Sequence, residues 1–193
     1  ATQGARALVD PWLDRLPPDR LAFLADTCFL ERLSGPLCDT VLDRSDSQAI
    51  LESLESRGGY LIALPPSEDG LRWWGRHPLM TAALAARSTA GGDPERNHRA
   101  ASWFRERGDV DSTMRHLLAT GRLDEAGAYL RAHENTLFEQ GKADRAAIWY
   151  ASLPPDSWGQ LGWHLVRIGW GQLLGAEPQA AEASLAHLRA HLA

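Results

Sequence analysis

Apolar residues recur at helical spacing over most of this chain, and the period shortens to that of a strand in one stretch only. Residues 5–15 place Ala7, Leu8 and Trp12, then Leu16, on one helical face. Pro17-Pro18 interrupts, and Pro18 suits the first turn of a second helix, where a missing N–H has no partner to lose. Leu21, Phe23, Leu24, Cys28 and Leu30 are its apolar positions; the pattern carries it to about Leu33, with Phe29 as the place for a break. Ser34-Gly35-Pro36 starts a third helix that reaches about Leu42. Ser45-Asp46-Ser47-Gln48 reads as a capping box, in which the Ser oxygen takes an orphan N–H and Gln48 reaches back. The helix it opens, Asp46 to Arg57, shows Ile50, Leu51 and Leu54 inward and stops at Gly58-Gly59.

Tyr60 to Leu64 is a short run of strand formers, Pro65 to Gly70 is turn chemistry, and Leu71 to Arg76 is a second strand. Three helices, a β-hairpin and another helix (Leu79 to about Arg87, after His77-Pro78) follow the order of a winged helix. Ser88 to Asp93 is the best linker in the chain. From Pro94 onward the pattern is helical throughout, with helices expected over 94–107, 110–120, 123–134, 142–153, 158–174 and 178–192. Connections of two to eight residues fit antiparallel helix pairs. The expected fold class is therefore mainly α. A winged-helix-like domain with one hairpin spans 1–90, and tetratricopeptide-like helical repeats span 91–193.

A repeat supports the second half. Gly121 to Ala126, Gly141 to Ala146 and Gly175 to Ala180 share a Gly-x-x-x-x-Ala frame, with a weaker instance at Gly108. Gly108 to Gly141 is 33 residues and Gly141 to Gly175 is 34, the tetratricopeptide period. Glycine permits the sharp turn between helices, and alanine lets the next helix approach closely. Trp103, Phe104, Tyr129, Trp149, Tyr150 and Trp170 fill the bulky positions. Single pairs of this kind cannot bury their faces alone, so they stack.

Charge narrows the function. The chain carries 20 Lys and Arg against 25 Asp and Glu, a net −5, and neither half is basic. Strong direct binding to nucleic acid is not expected from such a surface. In the helix a winged helix would lay in a DNA groove, Asp46, Glu52 and Glu55 outnumber Arg57, which argues for a protein-facing unit. Cys28 and Cys38 lack flanking ligands and read as buried thiols of a reducing compartment, so the protein is expected to be cytoplasmic. No apolar run approaches the ~18 residues of a membrane span. The eight Trp read as packing anchors. The first residues lack both a signal-peptide pattern and an initiator Met, so the chain reads as a piece of something longer.

Catalytic chemistry finds little support. Gly141-Lys142 lacks the other residues of a phosphate-binding loop. His187 and His191 share a helix face, but no third ligand lies near and Leu188 stands where a zinc-protease helix carries Glu. Glu52 with Glu55, and Asp124 with Glu125, read as solvated acids. Neither Ser34 nor Ser102 has a His/Asp arrangement. No enzyme, no metal and no cofactor are expected in this fragment. His77 stands apart: it lies where the second strand meets the next helix, beside Arg76 and Pro78. Either it bonds to backbone as a structural histidine, or it donates to a phosphate at a helix N-terminus with Arg76 adding charge.

Leu16-Pro17-Pro18, Leu33 to Asp39 (LSGPLCD) and Arg76-His77-Pro78-Leu79, with the stretch from His98 to Leu130, carry a family resemblance. Over residues 10 to about 155 the chain resembles the middle of the large ATP-binding LuxR-type transcriptional regulators, the maltose-activator-like group of signal-transduction ATPases. It differs from them at Gly75-Arg76 and Met80, where members commonly carry aromatic residues. The resemblance implies an ATPase module before the winged helix, an inducer- or partner-binding sensor superhelix after it, and a LuxR-type DNA-binding domain at the end. It also implies that His77, with Arg76 beside it, contacts the phosphate of ADP when the ATPase module is present, and that ATP exchange follows inducer binding. A free-standing repeat scaffold for protein–protein interaction is the alternative. Pairing of two copies through a truncated repeat face is a further expectation.

Overall fold

The computed structural model describes residues 9–58, 61–65, 70–85, 87, 93–154 and 179. It is mainly helical and divides into two compact units, Ala1–Trp103 and Phe104–Ala193.

The first unit holds α1 (Pro18–Asp26), α2 (Gly35–Leu42), α3 (Ser47–Ser56), β1 (Ile62–Ala63), β2 (Trp74–Gly75), α4 (Pro78–Ala85) and most of α5 (Pro94–Arg105). Residues 9–13 are also helical; 1–8 lie outside the described residues. Leu13 is buried there and Leu16 just beyond it, while Trp12, expected on the same face as Leu16, is 47% exposed.

α1 stops at Asp26, well before Leu33. Thr27 ends it: its hydroxyl donates to the Phe23 carbonyl at 2.8 Å, and its own carbonyl accepts from Leu30 N–H at 3.0 Å. The residues beyond serve the hairpin instead. Leu33 exchanges two backbone hydrogen bonds with Trp74, each 2.8 Å, as a third strand position that no alternation in the sequence announces. A buried amide must find a partner, and here the sheet supplies it.

Ser34 caps α2, its Oγ accepting from Leu37 N–H at 3.4 Å. The expected capping box does not form at α3. Asp46 is the cap residue without a side-chain cap bond, Ser47 N–H goes to Asp39 Oδ1 at 3.0 Å, and Gln48 bonds Glu52. A carboxylate from α2 thus caps α3, and the two helices pack together. β1 and β2 pair antiparallel, Ile62 opposite Gly75 and Ala63 opposite Trp74. Part of the turn between them, residues 66–69, lies outside the described residues, as does 88–92 of the expected linker. Leu24, Leu33, Leu37, Val41, Leu51, Leu54, Trp74 and Leu84 form the fully buried centre.

The expected boundary at 90/91 precedes α5, whereas the units divide near its end. The reason is visible in its side chains. Asp93 caps the helix by accepting from Glu95 N–H at 2.9 Å, Arg96 pairs with Asp26 at 3.0 Å, and Trp103 meets Trp73 edge-on with centroids 5.8 Å apart. The helix that reads as the first of the repeats thus spans the division, with its residues up to Trp103 in the first unit and Phe104 and Arg105 in the second.

The second unit contains α6 (Val110–Ala119), α7 (Leu123–Glu139) and α8 (Ala143–Ala151), which pack in sequence order. Gly108, Gly121 and Gly141 all sit in the left-handed region, φ 68°, 73° and 70°. Behind Gly108 and Gly141 the chain closes as a Schellman turn, Asp109 N–H to Phe104 O and Lys142 N–H to Leu137 O. Ala126 and Ala146 of the same frame are buried. α7 runs past the expected end at Glu134, since no breaker precedes Gly141 and Leu137 extends the buried face. Asp111 accepts from Trp149 Nε1–H at 2.9 Å, which ties α6 to α8 across one repeat. Gly175, Trp158, Trp163 and Trp170, and the expected helices 158–174 and 178–192, fall outside the described residues apart from Gln179, which is helical.

His116 lies buried in α6 with its ring stacked on Phe104, centroids 5.7 Å apart. Burial, then the Arg115 charge, pushes its pKa from 6.5 down to about 4. The folded state thus binds fewer protons than the unfolded chain between those values, and stability falls as pH drops from 6.5 toward 4. The full loss is about 3 kcal/mol at the rate of ~1.4 kcal/mol per pKa unit. Urea unfolding at pH 7 and pH 4.5 checks it: a His116→Gln variant should lack this part of the acid sensitivity, and equal pH dependence of the two proteins contradicts the assignment.

Candidate functional site

Pro78 builds the corner where β2 meets α4. A proline fixes the first helical residue and pushes the one before it out of the helical region, so His77 becomes the cap residue. Its carbonyl accepts from Met80 N–H at 2.9 Å and Thr81 N–H at 3.1 Å. Its side chain takes one more orphan donor, Nδ1 accepting from Leu79 N–H at 3.3 Å. With Nδ1 accepting, the proton of a neutral ring sits on Nε2. His77 is exposed, so this corner presents an N–H donor at the positive end of a helix. His77 thus bonds to backbone through Nδ1, as a structural histidine does, and its side chain is exposed.

Arg76 does not join it. Its Nη2 donates to the carbonyls of Thr27 at 2.9 Å and Leu30 at 2.5 Å, and Nη1 to Thr27 Oγ1 at 3.3 Å. The guanidinium is turned inward, and burial pushes its pKa down to about 10, still cationic at neutral pH. The expectation that Arg76 adds charge toward a bound phosphate is corrected by this geometry. The Thr27 and Leu30 carbonyls, in the turn where α1 ends, take up the cation.

On the other side of the hairpin the acids of α3 are engaged. Glu55 Oε2 accepts from Arg72 Nη2 at 2.7 Å and from Trp74 Nε1–H at 3.0 Å. Arg72 also lies 3.7 Å from Glu52 and 5.0 Å from the centre of the Trp74 ring. The helix positioned as a DNA reader thus presents carboxylates, and the wing arginine nearest to it is committed to them. Sequence spacing does not reveal this triad, because its members come from α3, from the segment before β2 and from β2 itself, and meet only in the fold.

Cys28 and Cys38 are buried free thiols, and burial pushes Cys38 up to about 12. Ser34 is a helix cap, and Glu125 pairs with Arg105 at 2.7 Å. Lys142 bonds Gln140. His187 and His191 are outside the described residues. Among the described residues no three His, Cys, Asp or Glu gather as a metal set, and no helix is long and apolar enough to cross a membrane.

Comparison with known proteins agrees with this architecture. The chain is 28% identical over 176 residues to the serine/threonine-protein kinase PknK of Mycobacterium tuberculosis strain H37Rv, covering 90% of this chain and 16% of that protein. It is 29% identical over 138 residues to the HTH-type transcriptional regulator MalT of Yersinia enterocolitica, covering 70% of this chain and 15% of that protein. The chain thus spans about one sixth of the length of the curated relatives it matches. The family model of the MalT winged helix domain matches residues 9–97, from the first described helical residue into α5. Residues 9–97 are thus similar to the MalT winged helix domain, and the longer span is similar to parts of PknK and MalT.

Proposed function

We propose that the chain is the switch-and-sensor segment of an ATP-dependent, LuxR-type transcriptional regulator of the MalT kind, working in the cytoplasm without catalytic chemistry of its own. The observation that carries this reading is the His77 cap, which holds one ring nitrogen on the backbone and leaves Nε2–H as an exposed donor beside a helix N-terminus. In the longer protein His77 donates this proton to a phosphate oxygen of ADP bound on an ATPase module, and so senses nucleotide state. The repeats take an inducer or a partner protein, and the effect passes to a DNA-binding domain elsewhere. A ligand shifts such a balance only by binding the two states unequally. The acids of α3, held by Arg72 and Trp74, support a winged helix that faces protein rather than DNA.

His77→Ala in the longer protein tests the reading. A hydrogen bond to a charged oxygen is worth about 1.5–3 kcal/mol, so ADP should dissociate roughly ten- to a hundredfold faster. Unchanged ADP release rejects the role of His77.

A further inference from the structure

We propose that Arg76 is a positioning residue for His77, an internal strut that sets the corner from which His77 works. This rests on the reading of His77 given above for its purpose, but not for its geometry. Two observations carry it. First, the Arg76 guanidinium spans both carbonyls of the turn that follows α1, Thr27 O and Leu30 O, and touches the Thr27 hydroxyl as well. Second, the same segment holds β2 a few residues earlier, through the paired bonds of Leu33 and Trp74. Residues 74 and 76 are thus both fastened to residues 27–33, and His77 is the next residue along. Its capping bond to Leu79 at 3.3 Å is long, so the ring pose depends on where the strand delivers the backbone.

A guanidinium is suited to this task. Its planar fork offers several donors in fixed directions: Nη2 serves both carbonyls and Nη1 the Thr27 hydroxyl. Arg76 Nε is buried with no hydrogen-bond partner of its own, so the side chain is held by its far end. Removing that end frees the corner. His77 then loses the constraint that keeps Nδ1 on Leu79 and the proton on Nε2, and an acceptor oxygen no longer meets a single, prepared donor.

The experiment reads the His77 ring directly. In the nitrogen-15-labelled chain above the ionisation range of histidine, long-range nitrogen–proton spectra identify His77 by the signal lost in His77→Gln. The wild-type ring should be in one tautomer, with the proton on Nε2. In Arg76→Met the two ring nitrogens should move toward a tautomer average, and the Leu79 amide should exchange about tenfold faster or more. Arg72→Met, which removes a wing arginine bound elsewhere, should leave both unchanged, and Arg76→Lys should restore part of the effect. A folded Arg76→Met protein with an unaltered ring and Leu79 amide overturns the proposal. If Arg76→Met does not fold, the wild-type chain decides. The Arg76 guanidinium protons and the Leu79 amide should share one opening constant within about threefold, and a larger difference overturns it. ADP retention separates the two ideas: a disturbed His77 ring with unchanged ADP release in the longer protein supports the strut and rejects the phosphate contact.

Discussion

Trp74→Ala should unfold the first unit or bring it close to unfolding. Trp74 is fully buried and is among the largest side chains to be so. Its backbone is bonded to Leu33 on one side, it is paired with Ala63 on the other, and its indole N–H donates to Glu55 at 3.0 Å. Truncation leaves the backbone pairing formally possible but opens a cavity where strand and helices meet. The cost of such a change is about 3–5 kcal/mol, against a total stability of about 5–15 kcal/mol for a typical domain. The melting midpoint should fall by roughly 12–40 °C, at ~4–8 °C per kcal/mol for a unit of this size. Trp74→Phe separates the two contributions, since it keeps most of the volume and loses the N–H. It should cost about 1–2 kcal/mol, with Arg72 still on Glu55. Thermal melts followed by circular dichroism check both variants. A loss below about 1 kcal/mol for Trp74→Ala contradicts its central place.

In the second unit the largest effect is expected from Tyr150→Ala. The ring is buried, and its hydroxyl donates to Glu134 Oε2 at 2.8 Å, with Glu134 itself buried. Burial and, after it, the neighbouring carboxylate hold the Tyr150 phenol above its ordinary range, so it remains a donor at any pH at which the protein is handled. Removing the ring costs about 3–5 kcal/mol as cavity. It also strips a donor from a carboxylate inside the repeat, which adds about 1–3 kcal/mol. The two overlap in part, because an opened cavity can admit water to Glu134. Tyr150→Phe keeps the packing and should show the second part alone. Denaturant titrations give the numbers: Tyr150→Phe matching wild type would mean the buried pair contributes nothing, and Tyr150→Ala within 1 kcal/mol of wild type would mean that α7 and α8 do not pack as described.

The helical frame, the hairpin and the repeat glycines were legible because each depends on neighbours in the chain. Ser34 caps α2, Pro94 opens α5, and Gly108, Gly121 and Gly141 turn left-handed, all where local pattern places them. Capping at α3 was not legible. Ser45 to Gln48 satisfies the local rule, yet Asp39 reaches Ser47 N–H from another helix and leaves the box nothing to do. The end of α1 was also misplaced. Apolar spacing continues to Leu33, but Thr27 offers the carbonyls of its own turn a hydroxyl, and Leu33 pairs with the buried Trp74 instead of adding a further helical turn. At the candidate site, Pro78 marks His77 as a cap, and that much is local. Where Arg76 turns depends on the Thr27 and Leu30 carbonyls almost fifty residues earlier, which no window along the chain can hold.

Periodicity, capping residues and glycine spacing by themselves determined that this protein is helical, with one hairpin leading into repeated helix pairs. They did so because hydrogen bonds within helices and turns are short-range and carry their own signature. Only the tertiary structure decided the direction of Arg76, the partner of Glu55, the limit of α1 and the attachment of α5 to the first unit. Those depend on which buried donors and acceptors find themselves opposite one another once the core has closed.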